Sequence, residues 1–147
     1  MKTEYKNFFI DTSLFIYLLE DYKEYSSQVL EVFNYCILYE VKFVTSIITY
    51  MEFTVKPYRE KKYIIIDEFK NLLFDLNAEL VNINLDIADR AARLRSQYNL
   101  KPMDALQISC AIYSNCNKFI SNDKRLKAIT EVEIVLLDDL CTGNIKL

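Results

Sequence analysis

Residues 7–13 read N-F-F-I-D-T-S, and the fold turns on how they are taken. Phe8, Phe9 and Ile10 form a short apolar run with strand character, which closes on an acid, Asp11, and two hydroxyls, Thr12 and Ser13. Comparable runs recur at 42–45 (K-F-V-T), 79–84 (E-L-V-N-I-N), 118–121 (K-F-I-S) and 133–137 (E-I-V-L-L). The segments between them carry helical periodicity. Residues 13–40 read as two helices broken near Asp21–Lys23, with Val29, Leu30, Phe33, Ile37 and Leu38 at helical spacing. A helix capped by Thr45 or Ser46 covers about 47–55 and is expected to stop at Pro57. Further helices are expected over about 60–76 and over 85–98, the latter with Ile87, Ala88, Ala91 and Leu94 on its apolar face. A last helix opens at Pro102, where a proline suits the first turn, and runs to about Ser114. Strands alternating with helices predict an α/β domain around a parallel sheet.

At 147 residues the chain has the length of one domain, and no repeat, linker or break in composition divides residues 1–147. It is 52% hydrophobic and 27% charged, which supports a packed core without disulfide or structural metal. Two absences exclude whole classes of chemistry. No histidine is present, so Ser-His-Asp and Cys-His catalysis and His-ligated zinc are ruled out. The single glycine, Gly143, rules out any glycine-rich phosphate loop. The net charge of −3 argues against a broad basic nucleic-acid surface. Cys36, Cys110, Cys116 and Cys141 form no C-x-x-C pair, and Cys36 and Cys110 read as buried thiols in a reducing compartment. With no signal-peptide stretch at the start and no apolar run of membrane-spanning length, a cytoplasmic protein is expected.

Parallel sheets set functional residues beyond the carboxyl ends of their strands. The first strand delivers Asp11, and the second runs into Ser46, Thr49 and Glu52. The fourth ends in Ser121-Asn122-Asp123, and Asp104 lies in the first turn of the helix opened by Pro102. Each acid alone has a simpler use. Asp11 suits a helix cap, Asp104 suits a helix dipole, and Asn122-Asp123 suit a turn. Glu52, flanked by Ile47, Ile48, Met51, Phe53 and Val55, should not be buried without a partner; it points outward or pairs with Arg59. Taken together, four carboxylates at one sheet edge make an oxygen-only site of the kind that selects Mg²⁺ or Mn²⁺. Without a cation such a cluster repels itself. With one, it can activate water against a phosphodiester without any histidine.

At these residues the chain resembles the PIN domain family, and more narrowly the VapC-type endoribonuclease toxins of toxin–antitoxin pairs, from about Phe8 to Leu140. F-F-I-D-T-S resembles the family's opening strand with its first metal-binding Asp. S-I-I-T-Y-M-E fits the S-x-x-T-x-x-E pattern, K-P-M-D-A-L-Q-I-S-C-A looks like the helix start with the third acid, and F-I-S-N-D resembles a strand end that usually reads T-x-D or T-N-D. The resemblance implies a three-layer α/β/α fold with a central parallel sheet. It implies Mg²⁺ or Mn²⁺ held by Asp11, Glu52, Asp104 and Asp123, with Thr12, Ser13, Ser121 and Asn122 supporting them. It also implies an RNA substrate, a homodimer and a small antitoxin covering the cleft. Ser121 departs from the usual Thr but keeps the hydroxyl.

Two basic groups, Lys56, Arg59, Lys61 and Lys62, or Lys118, Lys124, Arg125 and Lys127, lie near these motifs. Most read as solvated charge, and Arg125 is the best placed to reach RNA. Tyr50 and Phe53 beside Glu52 suit a partner surface. Two other readings compete. One is a phosphoryl-transfer domain of the receiver or haloacid-dehalogenase kind; the latter needs a second Asp where this chain has Ser13, and the former a phosphorylated Asp after strand three, where Ile83-Asn84 stand. The other is a non-catalytic PIN-like binding module, which the presence of all four acids argues against.

Overall fold

The computed structural model describes residues 4–20, 22–141 and 146–147; Asp21, Gly143 and the side chain of Cys141 lie outside them. The opening run forms β1 (Asn7–Ile10) at the centre of a five-stranded sheet. β2 (Lys42–Ser46) and β3 (Glu79–Val81) lie on one side of it, and β4 (Lys118–Ser121) and β5 (Glu133–Leu136) on the other, in the order β3-β2-β1-β4-β5. All four pairings are parallel, with Phe9 opposite Val44 and Phe119, and Ile10 opposite Ile120.

The apolar runs are explained by what lies above and below them. Phe8, Ile10, Phe43, Ile120 and Val135 enter one core, and Phe9, Val44, Val81 and Phe119 enter the other. A strand buried on both faces has no polar side to show, so it loses the period-2 alternation. Helices α1 (Thr12–Leu19), α2 (Ser26–Leu38), α3 (Ile47–Arg59), α4 (Tyr63–Asp75) and α7 (Leu137–Cys141) line the first core. Helices α5 (Leu85–Tyr98) and α6 (Pro102–Tyr113) line the second. The fold is therefore the three-layer α/β/α arrangement. Its strand order also differs from the 2-1-3-4-5 order of receiver domains, which removes that alternative.

Several boundaries depart from expectation. α3 does not stop at Pro57 but carries it as its third residue from the end. There the missing N–H costs a single ladder bond, and the buried ring packs in place. β3 is only three residues long, because Asn84 turns its Oδ1 to the Ile87 N–H and caps α5. On α2, Val29 and Phe33 face the core together with Val32 and Cys36, whereas Leu30, Ile37 and Leu38 are 47%, 62% and 72% exposed. A 3-10 turn (Lys124–Ala128) and α7 had no distinct sequence signature.

With one glycine in the chain, helix ends must use other residues in the left-handed region. Glu40, Lys61, Asn77, Asn99 and Asn115 take φ near +50°. At four of these ends the residue beyond donates back five positions, as in Cys116 N–H to the Ala111 carbonyl. Three of the five are Asn, which tolerates that region best after glycine.

Candidate active site

The chain leaves β1 to build β2 and β3 on one side and returns to build β4 on the other. The crevice beyond the carboxyl ends of β1 and β4 is the switch point where α/β sheets bind ligands. The Asp11 N–H continues the sheet ladder to the Ile120 carbonyl at 3.0 Å, so Asp11 stands in that crevice. A cleft of about 490 Å³ opens there. It is lined by Asp11, Thr12, Ser13, Glu52, Asp104, Ser121, Asn122 and Asp123, with Ile16, Tyr17 and Lys124 at its side. All four acids and all four supporting residues expected from the sequence thus line one cleft.

Asp11 does cap α1, its Oδ1 accepting from the Thr12 N–H at 2.8 Å, but its second oxygen has another task. Oδ2 accepts from the Ser121 hydroxyl at 2.7 Å, and the same Ser121 oxygen accepts from the Asp123 N–H at 3.1 Å. One buried hydroxyl at the end of β4 thereby holds both acids. Glu52 lies on the exposed side of α3 and accepts from the Thr12 hydroxyl at 3.0 Å, so it pairs across the cleft rather than with Arg59. Asp104 sits half-buried in the first turn of α6, where Pro102 starts the helix. Asp123 caps the 3-10 turn and accepts from the Arg125 guanidinium at 2.9 and 3.1 Å through Nε and 2.5 Å through Nη2. Arg125 Nη2 also stands 3.6 Å from Asp104.

The charges strain one another. Burial pushes the Asp11 carboxyl up to about 6, against the bonds from Ser121 and Thr12, and the Glu52 and Asp104 charges push the same way. Burial also raises Glu52, against the Thr12 bond. Asp104 is raised by burial and lowered by Arg125. Asp123 alone is lowered, chiefly by its hydrogen bonds from Arg125. Two buried polar atoms at the cleft, Ser13 Oγ and Asn122 Oδ1, have no hydrogen-bond partner. Asn122 turns its other end to the Tyr17 hydroxyl at 3.3 Å.

This donor set fits a hard divalent cation: every ligand atom is oxygen, the acids repel without a counter-charge, and two acceptors stand orphaned beside them. Among the described residues no three acids or cysteines form a finished metal cage. Asp11, Glu52, Asp104 and Asp123 are the residues that would hold it.

The surrounding basic residues are mostly engaged elsewhere. Lys56 pairs with Glu20, Lys62 with Glu60, Lys118 with Glu133, Lys124 with Asp138 and Lys127 with Asp139. The partner surface expected at Tyr50 and Phe53 is corrected. Phe53 is 2% exposed with its ring centroid 4.1 Å from that of Phe69, and Tyr50 stacks on the same ring. The exposed stripe of α3 is instead Ile47, Met51, Val55 and Tyr58, spaced four, four and three residues apart. A larger groove of about 680 Å³ between the ends of α1 and α3 and the start of α4 has lysines and glutamates on its rim but no acid cluster.

The sequence profile of the PIN domain family matches residues 8–132, a span that includes all four acids. The chain belongs to the PIN domain family. Among solved structures this PIN domain is similar to a toxin–antitoxin complex from Klebsiella pneumoniae, at 28% identity and TM-score 0.69, over 88% of this chain and 96% of that one. It shares its fold with VapBC2 from Rickettsia felis bound to a DNA fragment from its promoter (16% identity, TM-score 0.71, 88% and 98% covered). It does so too with VapBC-1 from nontypeable Haemophilus influenzae (19% identity, TM-score 0.67, 90% and 98% covered). No curated protein matches the chain.

Proposed function

We propose that this PIN domain is a metal-dependent endoribonuclease and the toxin of a toxin–antitoxin pair, working in the cytoplasm as one domain over residues 1–147. The observation that carries the reading is the meeting of Asp11, Glu52, Asp104 and Asp123 in one cleft from four separate parts of the chain. A bound Mg²⁺ or Mn²⁺ supplies activation of a water and offsets charge on the scissile phosphate. The chain's own residues set that up. Ser121 fixes Asp11 and Asp123 in register, Thr12 fixes Glu52, and Ser13 and Asn122 offer unpaired oxygens at the cleft. Arg125, 59% exposed at the rim and paired with Asp123, would be free to contact an RNA phosphate if that acid held a cation. The haloacid-dehalogenase reading fails on Ser13, which stands where a second Asp is required.

Two features support protein partners. Solved structures similar to this chain include toxin–antitoxin complexes. The apolar stripe Ile47, Met51, Val55 and Tyr58 on α3 is a contiguous exposed face of the kind that marks association sites, and it suits the homodimer; an antitoxin would cover the acid cleft. Among the described residues no helix is long and apolar enough to cross a membrane.

The test is direct. Purified protein is incubated with mixed cellular RNA in Mn²⁺ and in EDTA, beside Asp104→Asn. Fragments in Mn²⁺ alone, and none from the variant, support the proposal. Equal cleavage in EDTA, or by the variant, contradicts it.

A further inference from the structure

Gln107 is 2% exposed in α6, one helical turn beyond Asp104. A buried primary amide needs partners for two donors and an acceptor, and Gln107 finds all of them on other elements. Its Oε1 accepts from the hydroxyl of Ser46, the cap of α3. Its Nε2 donates to Thr49 Oγ1 at 2.6 Å and to Thr12 Oγ1 at 3.4 Å. The Ser46 hydroxyl accepts the Ile48 N–H at 3.1 Å and gives its own proton to Gln107 Oε1, and the NH₂ end of the amide faces the two threonines.

The threonine oxygens therefore receive protons from the α6 side and must direct their own protons away. For Thr12 the acceptors in reach are Glu52 Oε1 at 3.0 Å and Thr49 Oγ1 at 3.2 Å. Of the two, the Glu52 carboxylate is the nearer and the charged acceptor, so the Thr12 proton is aimed at it. One amide thus links α6, which carries Asp104, to α1, which begins at Asp11, and to α3, which carries Glu52.

We propose that Gln107 is a positioning residue: acting through the Thr12 hydroxyl, it holds Glu52 turned toward Asp11 and Asp104 in the orientation that receives the cation. This rests on the nuclease reading above but concerns a residue that lines no part of the cleft. It also gives the S-x-x-T-x-x-E spacing a physical cause, since the α3 cap Ser46 and, one turn on, Thr49 clamp the amide while Glu52 reaches the cleft.

The experiment is a double-mutant cycle on Mn²⁺ affinity, measured by calorimetry, with folding checked by circular dichroism and thermal melting. Gln107→Met keeps length and volume and removes the polar end. It should weaken Mn²⁺ binding about tenfold, as loss of residues that orient metal ligands typically does. Thr12→Val should do the same, Thr12→Ser should retain near wild-type affinity, and the double variant should lose little more than either single one. Wild-type Mn²⁺ affinity in folded Gln107→Met, or fully additive losses in the double variant, would overturn the proposal. If Gln107→Met does not fold, Gln107→Asn takes its place, keeping the amide but shortening its reach to Thr12 and Thr49: wild-type Mn²⁺ affinity overturns the proposal, and a loss that Thr12→Val does not deepen supports it. Failure of the nuclease reading looks different, because then the wild-type protein itself binds no Mn²⁺.

Discussion

Asp11→Asn should make the metal-free protein more stable at pH 7.5 while removing its response to cations. The Asp11 carboxyl is pushed from 3.8 in an open chain up to about 6 in the fold. A raised acid binds its proton more tightly in the native state, so its contribution to stability is full below pH 3.8 and is lost as pH rises through 6. At pH 7.5 the ionised group therefore costs the native state up to about 3 kcal/mol, from roughly two pKa units at 1.36 kcal/mol each. Asparagine escapes that cost but not freely. Its oxygen can still accept the Thr12 N–H, whereas its NH₂ replaces the oxygen that accepts from Ser121, a loss of about 1 kcal/mol. The net gain is about 1–2 kcal/mol, or roughly 2–8 °C in melting temperature for a domain of this size. Thermal melts in EDTA at pH 7.5 and pH 4 check both halves of the argument: the variant should lead at the higher pH and lose that lead at the lower. Mn²⁺ should raise the wild-type melt and leave the variant's unmoved. A variant less stable than wild type at pH 7.5 in EDTA, or a gap that ignores pH, would refute the reasoning.

Asp104→Asn and Glu52→Gln should each lower RNA cleavage at least a hundredfold without lowering the melting temperature, since burial disfavours the Asp104 charge and an amide oxygen in place of the Glu52 carboxylate still accepts the Thr12 hydroxyl; gel assays beside melts check this. Arg125→Ala should raise KM for RNA several-fold, more at low salt than high, with Mn²⁺ affinity no weaker than wild type because Asp123 loses a competing cation. Initial rates at varied RNA and salt would show it, and an unchanged KM would remove Arg125 from RNA binding. Val55→Asp, at the centre of the exposed α3 stripe, should convert a dimer to a monomer in gel filtration while cleavage of short RNA persists.

The acids were legible in the sequence because the physics that placed them is local. A strand buried on both faces reads as an apolar run, and whatever follows it lies at the functional edge of a parallel sheet; Asp11 and Asp123 follow that rule directly. Pro102 announced the helix start that carries Asp104. What was hidden depends on contacts between distant segments. Gln107 looks like any polar helical residue until Ser46, Thr49 and Thr12 close around it. Tyr50 and Phe53 adjoin Glu52 in sequence, but the helical turn sends them inward onto Phe69, on α4. Which rows of α2 and α3 face solvent followed from packing alone. Leu30 and Ile37 are apolar, yet the inner face of α2 was already filled by Val29, Val32, Phe33 and Cys36. Pro57 departs from the local rule: α3 runs through it to Arg59 with its ring buried, at the cost of one ladder bond.

The central claim is that four distant acids act as one seat for a hard dication. Titrating Mn²⁺ into the protein at pH 7.5, with the free ion followed by electron paramagnetic resonance, tests it most directly. Saturable binding is expected in wild type, falling at least tenfold in Asp11→Asn, Glu52→Gln and Asp104→Asn alike, with all three folded. Undiminished Mn²⁺ binding in any two of them, or none in wild type, would contradict it.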